Sequence, residues 1–314
     1  MIPAIRTEGL RKVYRTGFWM RKVVGLERLD LELPPGEVFG FLGPNGAGKT
    51  TTLKVLAGLH RPTEGNAWIH GKPCDDPATR RVLGFLPERP YFYEHLTARE
   101  LLDFYGRLLD LPADTRRRRS QALLERLDMF DHQDLPLRQH SKGMLQRIGL
   151  CQALLNDPQV IVLDEPMSGL DPVGRALVRE VILEQRALGR TVMFSSHILS
   201  DVQEVCDRIG ILVGGRIRAV GTLTELLEHQ VRHVECLVRV SKDVSLPGQV
   251  ERREGERAWV RVGPGGVDEL LRQVQQQGGE VVRVTPVGRT LEDLFMEEVG
   301  HEEEPETDTG TPAP

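Results

Sequence analysis

Gly43-Pro44-Asn45-Gly46-Ala47-Gly48-Lys49-Thr50 decides how this chain is read. The stretch matches G-x-x-x-x-G-K-[ST] in full. Glycines let backbone N–H groups turn inward around phosphate oxygens, and a helix N-terminus behind them adds positive potential. In this pattern the lysine reaches the β- and γ-phosphates of a nucleotide, and the Thr50 hydroxyl holds Mg²⁺. The flanks agree. Pro34-Pro35-Gly36 is a tight turn, Val38 to Leu42 is an apolar run that suits a strand buried on both faces, and Lys49 to Leu59 reads as a helix.

Downstream, VIVLDE places Asp164 at the carboxyl end of a second buried strand, where ligands sit in open α/β sheets. From there Asp164 reaches a metal or its water shell, and Glu165 is placed to orient and deprotonate an attacking water. The passages GMLQRIGLCQALLNDP to VIVLDE and LVREVILEQRALGR to TVMFSSH run from helix to strand. Such alternation predicts a mostly parallel sheet covered by helices. Upstream, Ile2 to Val13 and Leu29 to Leu33 read as strands around a basic loop, YRTGFWMRK. Residues from about 89 to 140 read as mainly helical, with Leu and Arg at helical spacing. After about residue 225 the texture changes. VECLVRV, AWVRV, a helix near Val267 to Gln277, EVVRVTP and TLEDLFMEEV outline a small α+β appendage with no catalytic motif.

The chain has 314 residues, 39% hydrophobic and 28% charged, which excludes disorder throughout. Its longest apolar stretches fall far short of the roughly 18 to 20 residues that cross a bilayer. The N-terminus lacks the apolar core of a secretion signal, so a cytoplasmic chain is expected. The net charge is −5, but residues 301–314 carry five acids and no Lys or Arg, leaving a neutral body. That balance gives no case for nucleic acid as a partner, and the tail is expected to be a disordered acidic terminus. Cys74, Cys151, Cys206 and Cys236 lie far apart, which fits a reducing compartment and argues against a metal cluster.

Five motifs in order now carry a family resemblance. Between the two nucleotide motifs stands His140-Ser141-Lys142-Gly143-Met144-Leu145-Gln146-Arg147; after them come Ser168-Gly169-Leu170-Asp171 and His197 in FSSH. The chain resembles an ABC-type ATPase subunit over roughly residues 3–225. The eight-residue stretch is similar to the LSGGQ signature followed by x-Q-R, the second to the D-loop, and His197 to the switch histidine.

The resemblance implies an α/β P-loop NTPase with an ABC ATPase core at 1–225. That core has a mostly parallel sheet, an antiparallel β part and a helical subdomain at about 89–150. A small C-terminal α+β accessory domain at 226–300 and the tail at 301–314 complete the chain. ATP and Mg²⁺ are the implied cofactors. Tyr14 would stack on adenine; Gly43, Pro44, Asn45, Gly46, Ala47, Gly48, Lys49, Thr50 and Thr51 would hold the phosphates. Thr50, Glu88 and Asp164 would hold Mg²⁺. Glu165 and His197 would act in catalysis with Lys49. In the family two such subunits close head to tail, so Ser141, Gly143 and Asp171 would meet the nucleotide bound to the other subunit.

Glu88, in GFLPERPYF, stands where the family usually carries a Gln that meets Mg²⁺ and senses the membrane partner. The signature has His140, Lys142 and Met144 where the family usually has Leu, Gly and Gln, while the phosphate-contacting Ser141 and Gly143 remain. Pro87, Pro90, Tyr91, Phe92 and Tyr93 form a stiff aromatic loop where, by resemblance, a permease docks. The overall expectation is the ATP-hydrolysing subunit of a membrane transporter of the ABC-2 exporter type. It would work as a homodimer or a heterodimer with a similar subunit, peripheral on the inner face of the cell membrane through an integral permease. The alternative is a soluble ABC ATPase in translation or DNA repair. Such proteins carry two phosphate loops or long heptad coiled coils, and neither feature is in this sequence. A GTPase is disfavoured because no N-K-x-D motif is present.

Overall fold

The computed structural model describes residues 2–17, 19–227, 231–241, 244–288 and 290–300. Two long strands open the chain, β1 (Ile5–Thr16) and β2 (Arg21–Leu33), paired antiparallel. They run through the segment read from sequence as a basic loop. Tyr14 faces Val23, Arg15 faces Lys22 and Thr16 faces Arg21. β-Branched Val23 and Val24 favour a ladder here. Between the strands, Gly17 at φ 71° and Met20 at φ 49° take left-handed turn conformations.

The first unit, Met1–Thr222, continues with β3 (Val38–Leu42), α1 (Lys49–Leu56), β4 (Glu64–Ile69), β5 (Lys72–Pro73) and β6 (Leu83–Leu86). Three helices follow: α2 (Ala98–Leu108), α3 (Ala113–Arg126) and α4 (Lys142–Leu154). Then come β7 (Val160–Leu163), α5 (Pro172–Ala187), β8 (Thr191–Ser196), α6 (Leu199–Gln203), β9 (Arg208–Val213) and β10 (Arg216–Gly221). One ten-stranded sheet orders them β5-β4-β1-β2-β10-β9-β3-β8-β7-β6. The β9-β3-β8-β7-β6 stretch is parallel, and the β5-β4-β1-β2 end is antiparallel.

Every residue of β3, β7 and β8 is buried, as their near-continuous apolar runs require for strands covered on both faces. Two expected helix limits move. The first helix stops at Leu56 rather than Leu59, with Gly58 at φ 67° closing the turn. The helical region begins at Ala98 rather than near 89, because Thr97 and Glu100 form a reciprocal capping box that fixes its start.

The second unit, Leu223–Glu297, holds α7 (Leu223–Leu227), β11 (Val231–Arg239), β12 (Gln249–Glu254), β13 (Arg257–Val262), α8 (Val267–Gln276), β14 (Glu280–Gly288) and most of α9 (Leu291–Gly300). Its antiparallel sheet is ordered β12-β13-β11-β14. Val234, Cys236 and Val238 alternate inward from β11 and pack with Val260, Leu270 and Val274 in a core of its own. The acidic tail at 301–314 lies outside the described residues.

Candidate nucleotide site

Parallel register brings the chemistry together. Leu42 pairs with Ser196, Leu163 with Phe194, and Leu86 with Leu163. The residues just past these strand ends therefore converge at one carboxyl edge: the glycine-rich loop, Asp164-Glu165, His197 and Glu88. The loop, Glu165, His197 and Glu88 line a cleft of about 530 Å³ with Tyr14, Val23, Val24, Gly25, Thr51 and Ser168, and Asp164 lies behind it, bonded to Thr50.

The loop turns into α1 at Gly48, whose φ of 104° is a conformation that L side chains rarely adopt. A Cβ at Gly48 would also lie 2.6 Å from the Gly25 carbonyl oxygen. Lys49 curls back under the loop, its Nζ donating to the carbonyls of Gly43 at 2.5 Å and Pro44 at 3.1 Å. Burial pushes the Lys49 ammonium below its ordinary range, and Glu165, 3.8 Å away, pulls it back up.

Asp164 is fully buried. Its Oδ1 accepts from Ser195 Oγ at 2.7 Å and from Thr50 Oγ1 at 3.1 Å. Its Oδ2 is buried with no hydrogen-bond partner. Burial raises the Asp164 carboxyl above its usual range, and the two hydroxyl donors oppose that rise. An unmet carboxylate oxygen beside a threonine hydroxyl is a hard, all-oxygen donor set, which fits Mg²⁺. Glu88 borders the same space. It lines both this cleft and an adjoining groove of about 660 Å³ that also holds Thr50, Asp164 and Tyr91.

Glu165 sits at φ 50°, left-handed for a residue that is not glycine. Its N–H donates to Ser195 Oγ at 2.9 Å, and its carbonyl accepts from Gln146 Nε2 at 3.2 Å. The Ser168 N–H reaches the same carbonyl at 3.1 Å. The carboxylate accepts from His197 Nδ1 at 2.8 Å, which fixes that nitrogen as the protonated one. Neither Ser195 nor Gln146 was singled out by sequence. Ser195 is signalled only by strand register, and Gln146 only by its place about one turn into the signature helix.

Tyr14 packs over Gly25, where a Cβ would come 2.5 Å from its Cε2. Its hydroxyl lies 2.9 Å from His60 Nδ1 and 3.4 Å from Thr51 Oγ1. Burial, with Lys54 and Lys12 nearby, lowers the His60 pKa and favours the neutral ring that accepts from Tyr14. His60 is a further residue that the sequence reading missed.

Ser141, Gly143 and Asp171 do not line the cleft of their own chain. Ser141 caps α4, accepting from the Met144 N–H at 3.2 Å, and Asp171 caps α5, accepting from the Gly174 N–H at 3.0 Å. A Cβ on Gly143 would lie 3.2 Å from Leu170 Cδ2, and one on Gly169 2.9 Å from Lys142 Cδ. The signature turn therefore packs on the Ser168–Asp171 segment. His140 turns inward, its Nδ1 3.1 Å from the Pro136 carbonyl oxygen. In the aromatic loop, Tyr91 is 91% exposed, whereas Tyr93 packs edge-on against Phe104.

A glycine-rich phosphate cradle, a buried aspartate and a neighbouring glutamate at parallel strand ends define a P-loop nucleoside triphosphatase. Comparison with known proteins names the family. Residues 26–168 match the ABC transporter family model. An uncharacterized ABC transporter ATP-binding protein of Nostoc is 43% identical over 94% of this chain and 89% of its own length. The Nod factor export ATP-binding protein I of Ralstonia nicotianae is 36% identical over 73% of this chain and 70% of its own. A solved dimer of a bacterial ABC transporter cassette superposes with a TM-score of 0.64 at 25% identity, over 70% of this chain and 98% of that one. The chain belongs to the ABC transporter ATP-binding proteins, as an ATP-binding and ATP-hydrolysing subunit of a membrane transporter. Among the described residues no helix is long and apolar enough to cross a membrane.

Proposed function

We propose that the chain drives an exporter of the ABC-2 type from the cytoplasmic face, held there by an integral permease, through Mg²⁺-dependent closure and hydrolytic opening of an ATP-bound dimer. The observation that carries this reading is the convergence of Lys49, Thr50, Glu165 and His197 on one cleft, with Asp164 bonded to Thr50 at its back. Thr50 and the unmet Oδ2 of Asp164 would hold Mg²⁺, with Glu88 at the edge of the site. When bound, the ion neutralises triphosphate charge and stabilises charge on the transferred group. The export direction rests on likeness to the Nod factor exporter subunit.

Lys49 and the loop N–H groups bind the β- and γ-phosphates. Tyr14 and the apolar Val23–Val24 wall bind the adenine. The Glu165 carboxylate takes a proton from water as that water attacks the γ-phosphorus and the bond to the β–γ bridging oxygen breaks, releasing ADP and phosphate, and the His197 Nδ1–H holds the carboxylate in place. Ser141, the Gly143 N–H and Asp171 face the nucleotide of the partner subunit, so the γ-phosphate joins two chains until hydrolysis removes it. Glu88, between the cleft and the Tyr91 groove, links the nucleotide to the permease. Its carboxylate adds negative charge where the family carries a neutral Gln.

Phosphate release from MgATP by the full-length chain tests the reading. Lys49→Ala should abolish hydrolysis. Glu88→Ala should alter both the hydrolysis rate and its response to the permease. Hydrolysis that survives Lys49→Ala unchanged would refute the site.

A further inference from the structure

The turn end of the β1–β2 hairpin has no part in the nucleotide chemistry. From Leu10 to Leu26 the sequence holds five cations, Arg11, Lys12, Arg15, Arg21 and Lys22, and no acid. The two nearer the sheet are engaged: Arg11 pairs with Glu27 and Glu64, and Lys12 donates to the Arg61 carbonyl and lies over the Tyr14 ring. The three near the turn are exposed, and among the described residues none of them meets a carboxylate. Arg15 and Lys22 are direct cross-strand partners, and Arg21 follows in the next pair. Like charges placed opposite one another weaken a two-stranded ladder. By contrast, in the Arg116–Arg119 run Arg116, Arg117 and Arg119 each have an aspartate partner. At the turn itself, Trp19 is 89% exposed and Met20 57%.

We propose that this hairpin end is a membrane-contact device that docks on an anionic phospholipid surface, its three unpaired cations meeting headgroup phosphates and Trp19 lying at the headgroup level. Trp beside Lys and Arg is the combination that interfaces favour, since the indole has an apolar body and a polar N–H. Exposed cations on both strands next to an exposed indole match a flat anionic surface better than a side-chain pocket. The unrelieved Arg15–Lys22 repulsion is what an external layer of anions would remove. The inference goes beyond the transporter reading and does not require a permease.

Co-sedimentation of the full-length chain with vesicles of phosphatidylcholine alone, or mixed with phosphatidylserine, tests it. The chain should bind the mixed vesicles, release as salt rises, and show a blue-shifted tryptophan emission that Trp19→Ser removes. Each cation near an anionic surface contributes about fivefold in affinity, so Arg15→Gln with Lys22→Gln should weaken binding roughly 25-fold. That double variant should unfold at the same or a higher temperature, because it loses a repulsion, which separates lost docking from lost folding. Equal binding to both vesicle types, or binding unchanged in the double variant and in Trp19→Ser, would overturn the proposal. So would an effect of these substitutions confined to membranes containing the permease, which would make the hairpin a protein contact. Phosphate release measured on the same samples keeps a failure here distinct from a failure of the ATPase assignment.

Discussion

A left-handed backbone costs a residue other than glycine about 1–2 kcal/mol, so Glu165 holds φ 50° only because its surroundings fix it. Ser195 takes its N–H, and Gln146 and Ser168 take its carbonyl. Gln146 is the one member of this clamp on the signature helix. A net hydrogen bond of about 1 kcal/mol corresponds to a factor of about five, so Gln146→Leu should slow hydrolysis about fivefold or more with ATP affinity held. Turnover at saturating MgATP, set beside a nucleotide titration, checks this, and an unchanged rate would contradict it. Asp164 gives a pH prediction. Burial raises its pKa on folding, so the native chain keeps a proton that the unfolded chain has released, and stability falls as pH rises through that window. Asp164→Asn removes this penalty. Without nucleotide or magnesium, the variant should be more stable than the parent near neutral pH. The gain should vanish below the ordinary carboxylate range, while hydrolysis is lost. Thermal unfolding across pH decides it, and an Asn chain less stable at neutral pH would count against the account.

At the scale of elements, the site hangs on strand register and on how closely two pieces of backbone pack. Gly25 lies under the Tyr14 ring, so Gly25→Val should displace that ring and raise KM for ATP about tenfold or more, with a smaller change in kcat. Steady-state kinetics would show it; an unchanged KM would remove Tyr14 from the binding surface. The strands VFGFL, VIVL and TVMFSS were legible because strands buried on both faces are written as apolar runs. β12 was not, since QVERRE is exposed at all six positions and carries no alternation. The far ends of β1 and β2 were misread as a loop because their charged residues stand out more than the Val23–Val24 pairing that holds them. The phosphate loop and Asp164-Glu165 are local motifs, readable in one pass. Ser195, Gln146 and His60 act through contacts between distant segments, which only the folded register reveals.

For the whole molecule, every residue lining the nucleotide cleft falls at or before His197, and the unit from Leu223 to Glu297 has its own core. A chain ending at Thr222 should therefore bind MgATP with the affinity of the full chain, and loss of binding would show that the two units depend on each other. The dimer is the larger claim, since Ser141, Gly143 and Asp171 lie away from the cleft of their own chain. Glu165→Gln removes the base and leaves both phosphate contacts in place, so hydrolysis should fall about 10²- to 10⁴-fold while ATP stays bound. Light scattering of that variant, with and without saturating MgATP, tests the claim most directly. The account predicts a dimer with MgATP and a monomer without it; a monomer under both conditions would contradict it.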